Sequence, residues 1–399
     1  MPRKSPKSPW RHLAWILPLL ALDFFLFRGL AAGRGGCARH PDAADDGTTT
    51  TALAAAKASA DAEPPPPPPP VWQEFHTPTP QTALLTPEAP GVLQPTASGR
   101  LRSAMFGSTR TGSAGGRLVP RFHEGVDIAA TERDRRGAPT DEVFAIADGK
   151  VAFVNNVSGN SSYGKYVVVE HPDPSLGVTV RRDGSQVPAT VYSLYAHLSD
   201  IRFGVRAGAD VQAGETLGTM GNTSNDRAGI PMARAHLHWE MGLLLHRRYD
   251  RFAREQKLTN PMGSYNGLNL FGVDPLAVYH AHVNDPGWTM ASHLTNMAPA
   301  CVLALRGKYP DYFVRYPGLW QGAPYAGGPI RVALGESGIP LSGRNATASE
   351  TAQLGNSRQA VLSVDETVLG RNARAYVRKQ NGRWIVTDKG RAWMQQFFY

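Results

Sequence analysis

The sequence predicts a mainly β protein, with an antiparallel β domain followed by a smaller α+β unit. Three observations predict it. Between Gly91 and Leu245, short runs such as "EVFAIADGKVAFVNN", "YGKYVVVEH", "TVYSLYAHLS" and "ETLGTMGN" recur, rich in β-branched and aromatic residues and broken by Gly and Asn. No part of that region keeps a helical period. Beyond Pro286, helix-like and strand-like patterns alternate. The 399 residues leave room for roughly two to three units.

The first element is a leader, residues 1–37. Residues 1–40 hold seven Lys/Arg against one Asp, Asp23, and so account for +6 of the formal charge of +9. The remainder is near neutral, with no basic stripe interleaved with aromatics, so a nucleic-acid partner is not expected. The apolar run Leu13–Phe27 is interrupted by Pro18 and Asp23. It falls short of the roughly 20 residues of a spanning helix. Small residues follow it (Ala31, Ala32, Gly33), which is the pattern of a secretory signal cut after Gly33. A retained signal anchor and a lipid-modified Cys37 are the alternatives. Export to the periplasm or cell envelope is the expectation. Two distant cysteines, Cys37 and Cys301, make neither a disulfide framework nor a cysteine-based zinc site.

Residues 38–90 are expected to form a Pro-rich disordered tether. They are rich in Ala, Thr, Asp and Pro and include seven consecutive prolines, Pro64–Pro70. At about 3.1 Å per residue that run is a stiff spacer of about 20 Å. The β domain is assigned to 91–285. Within it, "ADGKV" predicts a tight turn at Asp148–Gly149 joining two strands, and "HRRYDRFAREQKL" a short surface helix. The last unit is assigned to 286–399. "TMASHLTNMAPACVLALRGKY" has a helical pattern, and "PIRVALGES" and "QAVLSVDETVLG" read as strands. "ARAYVRKQNGRWIVT" is a hairpin turning at Asn381–Gly382, and "DKGRAWMQQFF" a terminal helix with Asp388 as N-cap. Trp384, Trp393, Phe397 and Phe398 are read as its core, with a glycan-stacking surface as the alternative.

Chemistry concentrates in two short stretches. "HLHWE" sets His236 and His238 two residues apart, so a strand would point both imidazoles to one face, with Glu240 joining them. "RFHEGVDIAA" sets His123 and Asp127 an even number apart, so an extended segment would also put these on one face. Two such segments brought together offer His, Asp and His to one point. Three protein ligands and a position for water make a catalytic zinc site, although iron or manganese accept similar donors. Either motif alone also arises as ordinary surface polarity. Their combination in one β-rich domain favours the metal. His197, in "LYAHLSD", adds a further imidazole. Glu124 is placed on the opposite strand face from His123. Glu240 is read as an orienting or solvent-facing group. His171, His246, His280, His282 and His293 are read as surface or structural.

These motifs in order resemble the lysostaphin-type (LytM-like) zinc metallopeptidases, which cut peptidoglycan peptides. The His-x-Gly-x-Asp motif stands as "HEGVDIAA", the middle motif as "YAHLS" and the His-x-His motif as "HLHWE". "FGSTR", "VFAIADGKV" and "AGETLGTMGN" are similar in position and texture. The resemblance covers about Gly91–Leu245. It implies Zn2+ held by His123, Asp127 and His238, with His197 and His236 as the paired catalytic histidines. It also implies an endopeptidase of peptidoglycan cross-links, with bonds between D-amino-acid residues as the expected target. Two segments are longer than the family's usual pattern, "HPDPSLGVTVRRDGSQVPATVYSLYAHLS" and "GNTSNDRAGIPMARAHLHWE". Both are expected to lengthen loops around the cleft. The rival readings are a non-catalytic wall-binding or activator module and a metallopeptidase acting on proteins.

Overall fold

A computed structural model describes residue 72 and residues 74–399, apart from 115–116, 182, 227–228, 261 and 371–373. The predicted leader and most of the predicted tether lie outside the described residues. Residues 74–90 correct the tether boundary, because they pack onto the β domain. Trp72, Leu84, Val92 and Leu93 are buried, and the His76 amide donates to Ile146 O at 2.7 Å. A composition rich in Pro and Thr concealed these apolar anchors.

The β domain opens with a hairpin, β1 (Thr109–Ala114) and β2 (Arg117–Phe122), followed by β3 (Val126–Ala129) and β4 (Glu142–Phe144). Then come β5 (Gly149–Asn155), β6 (Lys165–Val180), β7 (Gln186–Leu198), β8 (Asp200–Ile201), β9 (Asp210–Val211) and β10 (Thr216–Thr219). β11 (His236–Leu244), α1 (Tyr249–Glu255), β12 (Leu270–Val273) and α2 (Pro275–Asn284) complete it. The main sheet runs β12-β11-β7-β6-β5-β9, and β3 pairs with the first half of β11. A small sheet, β4-β10-β8, packs beside it. The bend before Gly149 therefore does not close a hairpin: β4 and β5 belong to different sheets.

β11 is buried along its whole length. Its odd residues Leu237, Trp239, Met241 and Leu243 enter the main core with Val167, Val169, Val191 and Tyr195. Full burial of each such side chain contributes about 1.5–3 kcal/mol. The even residues face the other way. There Tyr166, Val168, Tyr192, Leu194, Ala196 and Leu244 form a second, smaller cluster, and His236, His238 and Glu240 share that face.

The last unit begins with α3 (Met290–Asn296) and continues with β13 (Cys301–Leu305), α4 (Asp311–Arg315), β14 (Ile330–Leu334) and β15 (Pro340–Asn345). α5 (Ala348–Leu354), β16 (Gln359–Val364), α6 (Glu366–Leu369), the hairpin β17 (Val377–Gln380) and β18 (Arg383–Val386), and α7 (Asp388–Phe397) follow. Its antiparallel sheet runs β15-β14-β13-β16. Three expectations change. "CVLAL" is the strand β13, buried at every position, and a fully buried apolar run has no period to tell strand from helix. "DETVLG" is the helix α6, because the Asp365 side chain accepts from the Thr367 and Val368 amides and starts a turn. α7 is capped by Thr387, whose side chain accepts from the Gly390 amide, and Asp388 is its first residue. The hairpin does turn at Asn381–Gly382, both with positive φ, 49° and 76°. Trp393 and Phe397 are buried and stack at 4.7 Å, whereas Trp384 and Phe398 are half-buried.

The two units share one hydrophobic core. The first long segment, expected to be a loop near the cleft, is instead the far end of the β6–β7 hairpin, and it docks the last unit. Leu176 is buried, the Ala291 amide donates to Ser175 Oγ at 3.2 Å, and a Cβ on Gly177 would meet Pro317 at 2.2 Å. Arg315 Nη2 donates to Leu244 O and Leu245 O at 2.9 and 2.6 Å. Among the described residues no helix is long and apolar enough to cross a membrane.

Candidate metal and catalytic site

β3 and β11 bring two of the residues together directly: in the antiparallel register His238 faces Asp127, and His236 faces Ala129. Gly125 in the "HEGVD" motif has a steric reason, since a Cβ there would lie 2.3 Å from Trp239 O. His123 departs from the expected geometry. It lies outside β3, in the connection from β2, so strand alternation does not place it. Its amide donates to Ser108 O at 2.9 Å, and its carbonyl accepts from the Gly107 amide at 2.9 Å. Glu124 turns away and pairs with Arg374.

His197 reaches the site by breaking alternation. β7 pairs with β11 so that Ala196 faces His238 and Tyr195 faces Trp239. Regular alternation would send His197 to the core face with Tyr195. Instead the β6–β7 register shifts between Lys165 and Val167, and His197 has φ +63°. Such a β-bulge re-aims a side chain. The His197 ring lies 5.0 Å from that of His236 and 5.8 Å from that of His238.

The atoms facing inward are His123 Nε2, Asp127 Oδ1 and His238 Nδ1, separated from one another by 3.0–3.1 Å. All three residues are buried. Donors about 2.0–2.2 Å from a tetrahedral zinc would stand roughly 3.3 Å apart, close to this spacing. The outward nitrogens are anchored. His123 Nδ1 meets Met105 O at 2.9 Å, and His238 Nε2 meets Glu240 Oε1 at 2.8 Å. His197 Nδ1 meets Thr223 O at 2.8 Å, and His236 Nδ1 meets Arg234 O at 2.7 Å. A carbonyl or carboxylate accepts only from N–H, so each partner places the proton on the outer nitrogen. In the neutral ring the inner nitrogen then carries the lone pair, which a metal would take up in place of the contacts to Asp127. The donor set therefore fits a zinc ion.

The electrostatics agree. Burial pushes His123 down to about 4 against the pull of Asp127. Burial, reinforced by His236 and His238, holds His197 well below its usual range. For His238 burial acts downward too, but the Asp127 and Glu240 carboxylates outweigh it and raise the group to about 9. Asp127 is held well below the usual carboxylate range although burial opposes this, because His236, His123 and Arg110 surround it. The charge that Asp127 and Glu240 favour between them is a proton on His238, which a metal at Nδ1 would displace.

Glu240, read from the sequence as orienting or solvent-facing, is fully buried, and the other supporting residues were not singled out from the sequence. Glu240 also accepts from Tyr163 Oη at 2.8 Å and Tyr192 Oη at 3.4 Å. Arg110 on β1 pairs with Asp127 Oδ2. The Arg133 guanidinium holds the approach to β11 through Met232 O at 2.9 Å and Ala235 O at 3.2 Å. That approach is the second long segment, and it does border the site, supplying Thr223 O and Arg234 O. Alternation from His238 was the one signal available, and it placed Glu240 on the site face. Nothing in the spacing pointed to the others.

Residues 121–249 match the family model for Peptidase family M23. This chain carries an M23 peptidase domain. The M23 match contains His123, Asp127, His197, His236 and His238. The family is one of zinc peptidases, and its neighbours in structure are of the lysostaphin type. Among curated proteins none matches the chain. A zinc-containing peptidase from Vibrio cholerae is similar at 23% identity, over 43% of this chain and 37% of that one, with a TM-score of 0.25. The catalytic domain of the antimicrobial peptidase lysostaphin from Staphylococcus simulans is similar at 21% identity, over 43% and 86%, with a TM-score of 0.24. The catalytic domain of a prophage-encoded M23 protein from Enterococcus faecalis is similar at 22% identity, over 34% and 81%, with a TM-score of 0.21.

Proposed function

We propose that the chain is an exported zinc metalloendopeptidase that hydrolyses peptide cross-links of peptidoglycan, at bonds between D-amino-acid residues. The observation that carries the reading is the convergence of four imidazoles on one carboxylate, each imidazole anchored through its outer nitrogen. His123 Nε2, Asp127 Oδ1 and His238 Nδ1 would hold the metal. Zinc, when bound, polarises the scissile carbonyl and makes water a nucleophile near neutral pH. His197 and His236 remain outside the ligand set, with Nδ1 anchored and the His236 Nε2 3.5 Å from Asp127 Oδ2. That pair accepts the proton of the attacking water and delivers it to the leaving amine. Either Nε2, when protonated, also donates to the oxygen on which charge develops. Glu240 keeps the proton of His238 on Nε2, and so keeps Nδ1 a ligand.

Export is supported by the basic leader, the short apolar run and the small residues that follow it. Digestion of purified peptidoglycan beside a casein control tests the substrate class. Release of wall peptides, identified by mass spectrometry as cut between D-residues, is expected. Cleavage of casein with the wall untouched would overturn the assignment. A wild type that binds no zinc when supplied with it would fit a wall-binding module instead.

A further inference from the structure

The β1–β2 hairpin puts a guanidinium at the edge of the metal group. Arg110 Nε donates to Ser103 O at 2.9 Å, and Nη2 donates to Ser103 O and Asp127 Oδ2. These contacts lock the plane of the side chain. Nη1 makes no hydrogen bond among the described residues, and the side chain is 25% exposed while Asp127 is 2% exposed. The Nη1 donors are therefore held in a fixed orientation on a partly exposed side chain beside Asp127. A guanidinium so fixed loses little further freedom on accepting a planar anion.

A second observation points the same way. The cross-strand partner of Arg110 is Arg121, so two guanidinium side chains leave one face of a two-stranded hairpin. The face from which Arg110 reaches Asp127 thus carries a second guanidinium side chain.

We propose that Arg110 is a substrate-binding residue that reads a free carboxylate of the peptide, placed within one residue of the scissile amide. This rests on the peptidase reading above and narrows it. Peptides whose diamino or terminal D-residue carries an unblocked carboxyl next to the cut bond are substrates. Bridges of neutral residues, and peptides amidated at that carboxyl, are poor ones. Asp127 and the substrate then share one cation from two sides, with Nη2 on the ligand and Nη1 on the substrate.

The test uses the full chain loaded with zinc and two probes, N-acyl-D-alanyl-D-alanine as the free acid and as its C-terminal amide. Binding is measured by calorimetry on a slow variant, His197→Ala, and hydrolysis on the wild type. The free acid is expected to bind at least tenfold more tightly than the amide, and to show a correspondingly lower KM with similar kcat. Arg110→Gln should erase that difference through KM while keeping near-stoichiometric zinc, and Arg110→Lys should restore part of it. Equal binding of the two probes by the Arg110-intact chain would overturn the proposal. So would an equal fall in kcat on both probes in Arg110→Gln, which would mark a transition-state role, or a loss of zinc, which would mark mere support of Asp127. A chain that binds the acid selectively but hydrolyses neither probe nor wall would overturn the peptidase reading and leave the carboxylate contact standing.

Discussion

Strand β11 and the end of strand β7 deliver histidines to the same point by opposite means. β11 does so with an unbroken ladder: His236, His238 and Glu240 follow from alternation alone, and Leu237 and Trp239 fill the core behind them. β7 does so with an extra residue and a positive φ at His197. A non-glycine residue in that conformation costs of order 1–3 kcal/mol. The cost is tolerated because the His197 amide donates to Tyr163 O at 2.9 Å and its ring to Thr223 O at 2.8 Å. Two of the three proposed ligands, Asp127 and His238, thus sit on paired strands, and His123 on the connection before them. One group assigned to proton transfer sits on a strained residue held by two loops. His236, assigned to proton transfer with His197, stays on the β11 ladder, so the pair draws on both arrangements.

The comparison breaks most visibly at the ladder. Asp127→Ala removes one of the three proposed ligands, the one that β3 contributes. Zinc should be lost on dialysis and hydrolysis abolished, and metal analysis beside a wall-digestion assay checks both. At the bulge the effect is different in kind. His197→Ala should retain zinc while hydrolysis falls by about 10²–10⁴-fold. A variant that loses its metal would place His197 among the ligands. Behind the ladder, Glu240→Gln removes the charge that fixes His238. Zinc affinity should weaken by about 10–100-fold, the usual range for a group supporting a ligand, and competition against a chelator of known affinity measures it.

The same contrast sets what the sequence could disclose. The His-x-His pair was legible because it lies on a regular strand, where spacing determines the face. The three motifs in order located all five residues, through resemblance. Alternation would have turned His197 the wrong way, since a bulge depends on the partner strand and leaves no mark in local spacing. The even spacing of His123 and Asp127 was sound as a motif but wrong as geometry, because His123 lies outside β3. Arg110, Tyr163 and the carbonyls of Met105, Thr223 and Arg234 come from distant segments, and backbone carbonyls have no sequence signature at all. In the last unit, "CVLAL" misled because a strand buried on both faces has lost its period.

A further buried histidine on the main sheet sharpens the contrast from the core side. His171 faces Val191 across β6–β7, and its Nε2 lies 2.7 Å from Ser193 Oγ. Burial pushes it from 6.5 down to about 4, so it stays neutral in the folded chain. Between those values the unfolded chain binds a proton there and the folded chain does not. Its contribution is complete above about pH 6.5 and is lost as pH falls toward 4. Urea denaturation at pH 7 and pH 4.5 should show a smaller acid-induced loss for His171→Gln than for wild type. An identical loss in both would remove His171 from the account. The smallest effect concerns the strain itself. His197→Gly should be more stable than His197→Ala by about 1 kcal/mol, because glycine adopts positive φ freely. Equal midpoints in urea would mean that the bulge relaxes once the imidazole is gone.

The central claim is that neighbouring histidines on β11 do different work, His238 holding the metal and His236 acting beside it. Zinc stoichiometry and hydrolysis of a cross-linked wall peptide, measured on the same preparations of His236→Ala and His238→Ala, test it directly. The account predicts near-stoichiometric zinc with strongly reduced turnover for His236→Ala, and loss of both for His238→Ala. Zinc retained by His238→Ala and lost by His236→Ala would contradict it.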